Sequence, residues 1–349
     1  MAKIDALLKM MTQHDASDLH ISAGCPPILR INGHLQRTKS QDLSSREVEM
    51  LLLEILEEES LAVFKERKDV NFSYELEGVA RFRANVFSER NGYGSAFRII
   101  PPKIKTLEEL GLPESIQDLT RTQSGLVMVT GPTGSGKSTT LAAMIDLINK
   151  EKNQHIITLE DPIEFIHPKG KCLIHQRQLG LHVKSVPSGL KAALREDPDV
   201  IVVGEMTDPE TIRLALSAAE SNLLVLGTLH TASSTDTIDR LIDVFPTYQQ
   251  AQIRAMVSGS LRSVISQRLL RKSDGKGRVA AVEVMVMNPA IQNLINEDKT
   301  YQIFYVIQAS VDEGMQTMES QINGIVKQGI VSREEAGLFS PVPASDKPK

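Results

Sequence analysis

One segment of the 349-residue chain constrains its possible folds more than any other. It matches the pattern GxxxxGK[ST] in full and reads Gly131-Pro132-Thr133-Gly134-Ser135-Gly136-Lys137-Ser138-Thr139. An apolar run, Leu126–Thr130, precedes this segment, and the helical stretch Leu141–Ile148 follows it. Glycines let the N–H groups of a loop approach phosphate oxygens closely, and the N-terminus of the following helix attracts negative charge. The segment therefore predicts a strand, a phosphate-binding loop and a helix.

Each side chain of this loop has an expected role. Lys137 would reach the β- and γ-phosphates of a nucleotide, and Ser138 would hold Mg²⁺ directly. The other residues expected to contact the nucleotide are Gly131, Thr133, Gly134, Ser135, Gly136 and Thr139. ATP and Mg²⁺ are thus the expected cofactors. An ordinary glycine-rich turn is the alternative, and the full pattern between a strand and a helix argues against it.

Three more apolar runs end in side chains that suit phosphate chemistry. The pairs of run and side chain are Val200–Val203 with Glu205, Ile156–Leu159 with Glu160 and Glu164, and Leu223–Gly227 with His230. Ligands of open α/β sheets bind at the carboxyl ends of the strands, so we expect these four side chains to converge with Lys137 and act in catalysis. Glu160 and Glu205 would also hold Mg²⁺ through water.

Each of these signals also has a simpler interpretation. An acid that follows a strand can cap the next helix, which suits Asp208 better than Glu205. Asp161-Pro162 is typical of the start of a turn, and a lone histidine such as His230 is more often structural. The expected convergence of four strand ends favours a nucleoside triphosphatase over these separate explanations.

The patterns divide the chain into two domains. Residues 1–100 combine short strands with helices, as in a small α+β domain. Residues 113–340 alternate buried strands with helices, which is typical of a parallel α/β sheet. Between the two domains, the prolines at 101 and 102 begin a predicted linker over 101–112. The proline-rich residues 341–349 are expected to form a disordered tail.

Composition narrows the choice of partners and compartment. The formal net charge of −5 argues against nucleic acid or an anionic membrane as the main partner. The two cysteines, Cys25 and Cys172, are too distant in sequence for a CxxC pair, so a reducing compartment fits best. No apolar run approaches the ~18 residues of a membrane span. We therefore expect a cytoplasmic protein without direct membrane insertion.

Several motifs beyond the loop resemble the PilT family of type IV pilus retraction ATPases, over nearly the whole chain. They are the acidic box Thr158–Glu164, the Walker B region Leu194–Glu205, the His box Thr228–Arg240, the stretch Ala290–Ile295, and the flanking Ser17–His20 and Gly314–Thr317. Relatives that act in pilus assembly and secretion usually carry a four-cysteine zinc element. Two distant cysteines cannot form one, so the chain is more similar to the retraction branch.

This resemblance implies a PAS-like N-terminal α+β domain followed by a RecA-like P-loop NTPase domain. It also implies a homohexamer that hydrolyses ATP and powers pilus retraction, or twitching motility, by domain closure and rotation. Of the N-terminal arginines, Arg81 and Arg83 rank before Arg90 and Arg98 as catalytic groups that would reach the nucleotide. The implied partners are an inner-membrane platform protein at the pilus base, approached from the cytoplasm, and a second retraction ATPase.

Two departures from the family pattern keep alternatives open. Thr207 stands two positions after Glu205, where the family usually has arginine, and Ala232–Ser234 differs from the usual His-box sequence. A weakly active or inactive accessory ring subunit that binds nucleotide is therefore the alternative function. A RecA-like motor acting on nucleic acid is a third, which the acidic net charge disfavours.

Overall fold

The chain forms two compact units in a computed structural model that describes residues 2–31, 33–100 and 103–339. The N-terminal unit consists of Met1–Lys103 and Asp161–Ile166, and the C-terminal unit consists of Ile104–Glu160 and His167–Lys349. The domain bounds drawn from the sequence stay a prediction. They place residues 161–166 in the second domain, whereas the structure groups these residues with the N-terminal unit. The prolines of the predicted linker and the predicted tail at 341–349 lie outside the described residues.

The N-terminal unit is built on a six-stranded sheet. Its helices are α1 (Asp5–Gln13), α2 (Ser45–Leu53) and α3 (Glu58–Arg67), and its strands are β1 (Asp18–Ser22), β2 (Ile28–Ile31), β3 (His34–Arg37), β4 (Asp69–Leu76), β5 (Ala80–Glu89) and β6 (Gly92–Ile100). The strands lie in the order β3-β2-β1-β6-β5-β4, and every pairing is antiparallel. Along β5 the buried residues alternate, with Phe82 and Ala84 in the core, so Arg81 and Arg83 point to the opposite face.

A capping box starts α2, as the sequence Ser44-x-x-Glu47 predicts. Glu47 N donates to Ser44 Oγ at 3.3 Å, and Ser44 N donates to Glu47 Oε2 at 2.7 Å. The capping box and the apolar stripe Val48–Leu56 together predict one helix through about Lys68. This is wrong, because α2 ends at Leu53 and α3 begins only at Glu58. Ile55 and Leu56 lie in the break, and both are buried in the core. Tertiary packing of these two side chains outweighs the local helical pattern.

The C-terminal unit is built on a seven-stranded sheet. Its strands are β7 (Gly125–Thr130), β8 (His155–Glu160), β9 (Leu173–Gln178), β10 (Val200–Val203), β11 (Leu224–Leu229), β12 (Leu261–Arg271) and β13 (Arg278–Val286). Its helices are α4 (Glu114–Arg121), α5 (Lys137–Glu151), α6 (Val186–Ala193), α7 (Pro209–Glu220), α8 (Ser234–Asp243), α9 (Thr247–Ser260), α10 (Pro289–Asn296), α11 (Ile303–Ala309), α12 (Met318–Lys327) and α13 (Arg333–Gly337). Within the described residues, no helix is both long and apolar enough to cross a bilayer.

The four strands predicted from apolar runs form the centre of this sheet. The strand order is β13-β12-β7-β11-β10-β8-β9, and β7, β11, β10 and β8 are mutually parallel neighbours. Both faces of the sheet are covered, since Leu126 and Met128 belong to one hydrophobic cluster and Val127 and Val129 belong to another. The carboxyl ends of all four strands therefore meet at one edge.

Candidate nucleotide-binding site

Glycines shape the loop between β7 and α5. Gly131, Gly134 and Gly136 have φ angles of +142°, +80° and +94°, which residues with a Cβ rarely adopt. Gly136 is the N-cap of α5, and in the described part of the chain no side chain caps this helix. The first N–H groups of a helix have no partner within the helix itself. The N-terminus of α5 is thus open to an anion.

Lys137 begins α5 and extends its side chain back over the loop. Its Nζ donates to the carbonyl oxygens of Gly131 and Pro132, at 2.8 and 3.1 Å. The same Nζ lies 3.2 Å from Nδ1 of His230. These contacts hold the ammonium group beside the open end of α5.

His230 connects Lys137 to Glu205. An ammonium group only donates, so Nδ1 is the acceptor in the contact with Lys137 and the ring proton is on Nε2. This Nε2 lies 3.2 Å from Oε1 of Glu205, and the two side chains are 41% and 46% exposed. The three residues follow β7, β11 and β10, and their contacts repeat the order of these strands. The structure therefore brings together three of the side chains that the sequence predicts to converge.

Glu160 ends β8, the next strand of the sheet. Its Oε1 accepts hydrogen bonds from Thr158 Oγ1 at 2.6 Å and from Gln176 Nε2 at 3.0 Å. Gln176 belongs to β9, which pairs with β8 in parallel. Two donors on one oxygen fix the orientation of this carboxylate at the edge where the P-loop also lies.

Glu164 lies in the N-terminal unit, whereas Glu160 lies in the C-terminal unit. Within the N-terminal unit, Arg83 Nη1 donates to Glu164 Oε1 at 3.1 Å. Arg81, two positions along β5, forms a longer ion pair of 4.0 Å with Glu75, whose side chain is 70% exposed. The catalytic roles expected of Glu164, Arg81 and Arg83 stay predictions. What the structure adds is that Arg83 and Glu164 are partners.

Asp208 caps a helix, as its position after β10 predicts. It is the N-cap of α7, and its Oδ1 accepts a hydrogen bond from Thr211 N at 2.9 Å. Glu205, by contrast, is exposed and pairs with His230.

β12 contributes a side chain that the sequence analysis missed. This strand is the parallel neighbour of β7 on the side away from β11. The buried Gln267 of β12 contacts Ser135 of the loop and Thr140 of α5. Ser135 and Gln267 are 132 positions apart, so no local motif contains both. Five of the other ten residues of β12 are also polar, so Gln267 does not stand out in the sequence.

The side chains at this edge also suit Mg²⁺. Among the described residues no group of three or more His, Cys, Asp or Glu could hold a metal ion by itself. Mg²⁺ is typically held by one or two protein oxygens together with the phosphates of a substrate. Ser138, exposed in the first turn of α5, and the carboxylates of Glu160 and Glu205 offer such oxygens. The residues fit the ion, and its binding stays a prediction.

A mostly parallel sheet, an open P-loop helix and carboxylates at the neighbouring strand ends define the class of RecA-like P-loop ATPases. Residues 1–338 match the family model described as type II/IV secretion system protein. The chain belongs to this family and, within it, to the PilT-type ATPases. This family match confirms the predicted fold class, an N-terminal α+β domain followed by a RecA-like P-loop NTPase domain.

Three comparisons carry this assignment. The chain is 49% identical to the type IV pilus retraction ATPase PilT of Pseudomonas aeruginosa, over 97% of this chain and 98% of the relative. It is 48% identical to a twitching motility protein of Neisseria gonorrhoeae, over 90% of this chain and 84% of the relative. The crystal structure of the pilus retraction motor PilT with bound ADP has a TM-score of 0.90 and 44% identity, and the match covers 98% of both chains.

Proposed function

We propose that this protein is a hexameric motor that hydrolyses ATP to power type IV pilus retraction, and hence twitching motility. The observation that carries the proposal is the series of contacts Lys137–His230–Glu205 beside the uncapped end of α5. Hydrolysis of ATP needs a phosphate-binding helix end and, next to it, a carboxylate that can orient water. The similarity to PilT over almost the full length supports retraction as the work that is done.

Each side chain at the sheet edge has a task in this proposal. The first N–H groups of α5 and the ammonium of Lys137 bind the phosphates, and the hydroxyl of Ser138 binds Mg²⁺. When bound, Mg²⁺ neutralises charge on the β- and γ-phosphate oxygens. Glu205 orients the attacking water and accepts its proton, while Glu160 would hold Mg²⁺ through water. His230 keeps Glu205 and Lys137 in position and senses the γ-phosphate.

Arg81 and Arg83 supply further positive charge to the nucleotide, as the family resemblance implies. The Arg83 guanidinium is already engaged by Glu164. In this proposal Arg83 therefore leaves Glu164 when it turns to the nucleotide. Glu164 acts in the cycle by holding and releasing this arginine.

The same proposal includes the assembly and its place in the cell. The subunits form a homohexameric ring in the cytoplasm, at the inner-membrane base of the pilus. An inner-membrane platform protein receives the motion, and a second retraction ATPase is a further partner. Domain closure on ATP, followed by release after hydrolysis, turns the platform. Nucleic acid is not a partner in this scheme.

Thr207 favours one alternative, a weakly active accessory subunit. This residue is exposed between Glu205 and the helix cap Asp208. The family resemblance implies arginine at this position. The substitution removes one cation from a region that contains two carboxylates. Turnover would fall if that cation held Glu205 or a neighbouring subunit in place.

Steady-state ATP hydrolysis by the purified full chain tests both functions. Lys137→Ala and Glu205→Ala should each lower turnover at least about 100-fold. Thr207→Arg is measured in parallel. Clear wild-type turnover that both alanine variants lose supports the motor. Turnover that is absent in the wild type and restored by Thr207→Arg supports the accessory subunit, and turnover that survives both alanine variants contradicts the proposed site.

A further inference from the structure

The side chain of Gln267 connects the P-loop to the helix α5 that follows it. Its Nε2 donates to the carbonyl oxygen of Ser135 at 2.8 Å, and its Oε1 accepts from Thr140 Oγ1 at 2.8 Å. Gln267 is 3% exposed, Ser135 is 3% exposed and Thr140 is 1% exposed. The carboxamide thus uses both its donor and its acceptor inside the protein, one on the loop and one on the first turns of α5. We call this set of contacts the Gln267 clamp.

The glycines of the loop show how closely β12 approaches it. A Cβ at Gly131 would lie 2.3 Å from the carbonyl oxygen of Gln267, and a Cβ at Gly136 would lie 2.7 Å from Nε2 of Gln267. At Gly134 a Cβ would meet nothing within 4 Å. Two of the three loop glycines therefore make room for Gln267, in addition to supplying the backbone conformation.

The sheet fixes the position from which Gln267 acts. Ser266 pairs in register with Thr130, the last residue of β7, and their hydroxyl oxygens are 2.9 Å apart. Gln267 comes one residue later in the parallel strand, beside the start of the loop at Gly131. The clamp is thus anchored on a paired strand and not on another loop, which limits how far the loop can drift.

We propose that Gln267 is a positioning residue that holds the P-loop in its phosphate-binding shape before the nucleotide arrives. The inference rests on the proposed function, in which this loop binds the nucleotide phosphates. A loop held in its bound conformation loses less conformational freedom on binding, so its affinity is higher. The role requires an amide at this position, because a purely apolar side chain of the same length can neither donate to Ser135 nor accept from Thr140.

Loss of the clamp should weaken binding through the phosphates. Gln267→Met keeps the length and the burial of the side chain but leaves the Ser135 carbonyl and the Thr140 hydroxyl without their partner. A buried polar group left without a hydrogen bond is costly, and the loop will relax to pair these groups elsewhere. We expect about tenfold weaker binding of ADP. Pyrophosphate, which has only the phosphate part, should lose about the same factor.

The experiment measures binding of a fluorescent ADP analogue to the full chain, with pyrophosphate as a competitor. The variants are Gln267→Met and the matched pair Thr140→Val and Thr140→Ser. Thr140→Val removes the hydroxyl that donates to Gln267 and keeps the shape, whereas Thr140→Ser retains that hydroxyl. We expect weaker ADP and pyrophosphate binding in Gln267→Met and Thr140→Val, and affinity within about twofold of the wild type in Thr140→Ser. The double variant Gln267→Met/Thr140→Val should bind no more weakly than Gln267→Met alone, because Gln267→Met already removes the contact that Thr140→Val removes.

Thermal unfolding of the same variants separates positioning from simple packing. Binding is measured well below the unfolding midpoint of every variant, so that all the molecules are folded. A lower midpoint with wild-type affinity for ADP and pyrophosphate in both Gln267→Met and Thr140→Val would overturn the clamp and leave the proposed function intact. If the wild type itself binds neither ligand, both proposals fail. The Thr140 pair keeps the test decisive if Gln267→Met does not fold.

Discussion

The helix N-termini of the C-terminal unit are of two kinds. Within the described residues six helices are capped by their own preceding side chain, namely α6 by Ser185, α7 by Asp208, α8 by Ser233, α10 by Asn288, α12 by Thr317 and α13 by Ser332. At α8 the Ser234 N–H also donates to the buried Glu283 at 2.8 Å. In the part of the chain that the structure describes, four helices, α4, α5, α9 and α11, have no side-chain cap, and the N-cap of α5 is Gly136.

This difference separates stability from function. A side-chain cap satisfies an N–H group that would otherwise need water, and its loss typically costs ~1 kcal/mol. Among the uncapped ends, that of α5 follows the glycine-rich loop and has the ammonium group of Lys137 held beside it. The end of α5 therefore offers its N–H groups and its dipole to a ligand, whereas the side-chain caps of the other helix ends contribute to folding.

The largest expected effect is on ATP turnover and concerns His230, beside the uncapped end of α5. His230→Ala removes the group that connects Lys137 to Glu205, so ATP turnover should fall about 100-fold. Its side chain is 41% exposed, so the unfolding midpoint should stay within about 2 °C of the wild type. Steady-state hydrolysis and thermal unfolding are measured together. His34→Ala, which changes an exposed histidine of β3, serves as the control and should alter neither value. Wild-type turnover in His230→Ala would remove His230 from the mechanism.

The second effect comes from adding a Cβ at Gly136, the N-cap of α5. Gly136→Ala places a Cβ 2.7 Å from Gln267 Nε2 at a φ of +94°, so the alanine is strained and Gln267 must move. ADP binding should weaken more than about tenfold, and the strain should cost about 2 kcal/mol of stability. Gly134→Ala is the matched control, because its φ of +80° brings similar strain but its Cβ meets nothing within 4 Å. Equal ADP affinity in the two variants would contradict the packing account of Gly136.

The sequence predicts the central part of this unit well for a physical reason. A strand buried on both faces must be apolar throughout, as Val200–Val203 is, and the glycines of a P-loop occur at fixed spacing. Strand ends at one edge then follow from the parallel order. The convergence of Lys137, His230 and Glu205 at one edge is therefore expected before any coordinates are known, whereas their contacts with one another are not.

What the sequence does not predict depends on contacts between distant segments. Gln267 reaches Ser135 from a strand 132 positions away, and no local pattern reports which strand lies beside β7. The acidic box is divided in a similar way. Glu160 ends a strand of the C-terminal unit, while Glu164 pairs with Arg83 of the N-terminal unit. A contiguous motif suggests a common site, but the fold decides which members share it.

A smaller effect tests the capped ends. Asn288 Oδ1 accepts from Ile291 N at 3.0 Å, so Asn288→Ala should cost about 1 kcal/mol and lower the unfolding midpoint by roughly 2 °C. ATP turnover should stay within about twofold of the wild type, because this cap faces no ligand in the proposed mechanism. Asn288→Ser keeps an acceptor at the N-cap and should recover most of the loss. A large loss of turnover in Asn288→Ala at unchanged stability would show that this capped end also serves the reaction.

The last effect is on stability alone and concerns a polar group that is neither a cap nor open to a ligand. Burial lowers the pKa of His167 to about 4, and its Nδ1 has no hydrogen-bond partner within the described residues. The unfolded chain has a histidine pKa of about 6.5. Above that value the histidine is neutral in both states, and its contribution to stability is fully present. As the pH falls from about 6.5 towards 4, the unfolded state takes up a proton that the folded state excludes, so stability is lost.

Thermal unfolding at pH 7.5 and pH 5 measures this loss. The wild type should lose more stability between these values than His167→Gln does, by up to about 2 kcal/mol. Glutamine keeps a polar side chain at the position but does not titrate, so carboxylates elsewhere affect both proteins equally. Equal losses in the two proteins would mean that His167 is hydrated or paired in solution. His167 would then have a partner, as the N–H groups of the capped helix ends do, and would not be a buried polar group without one.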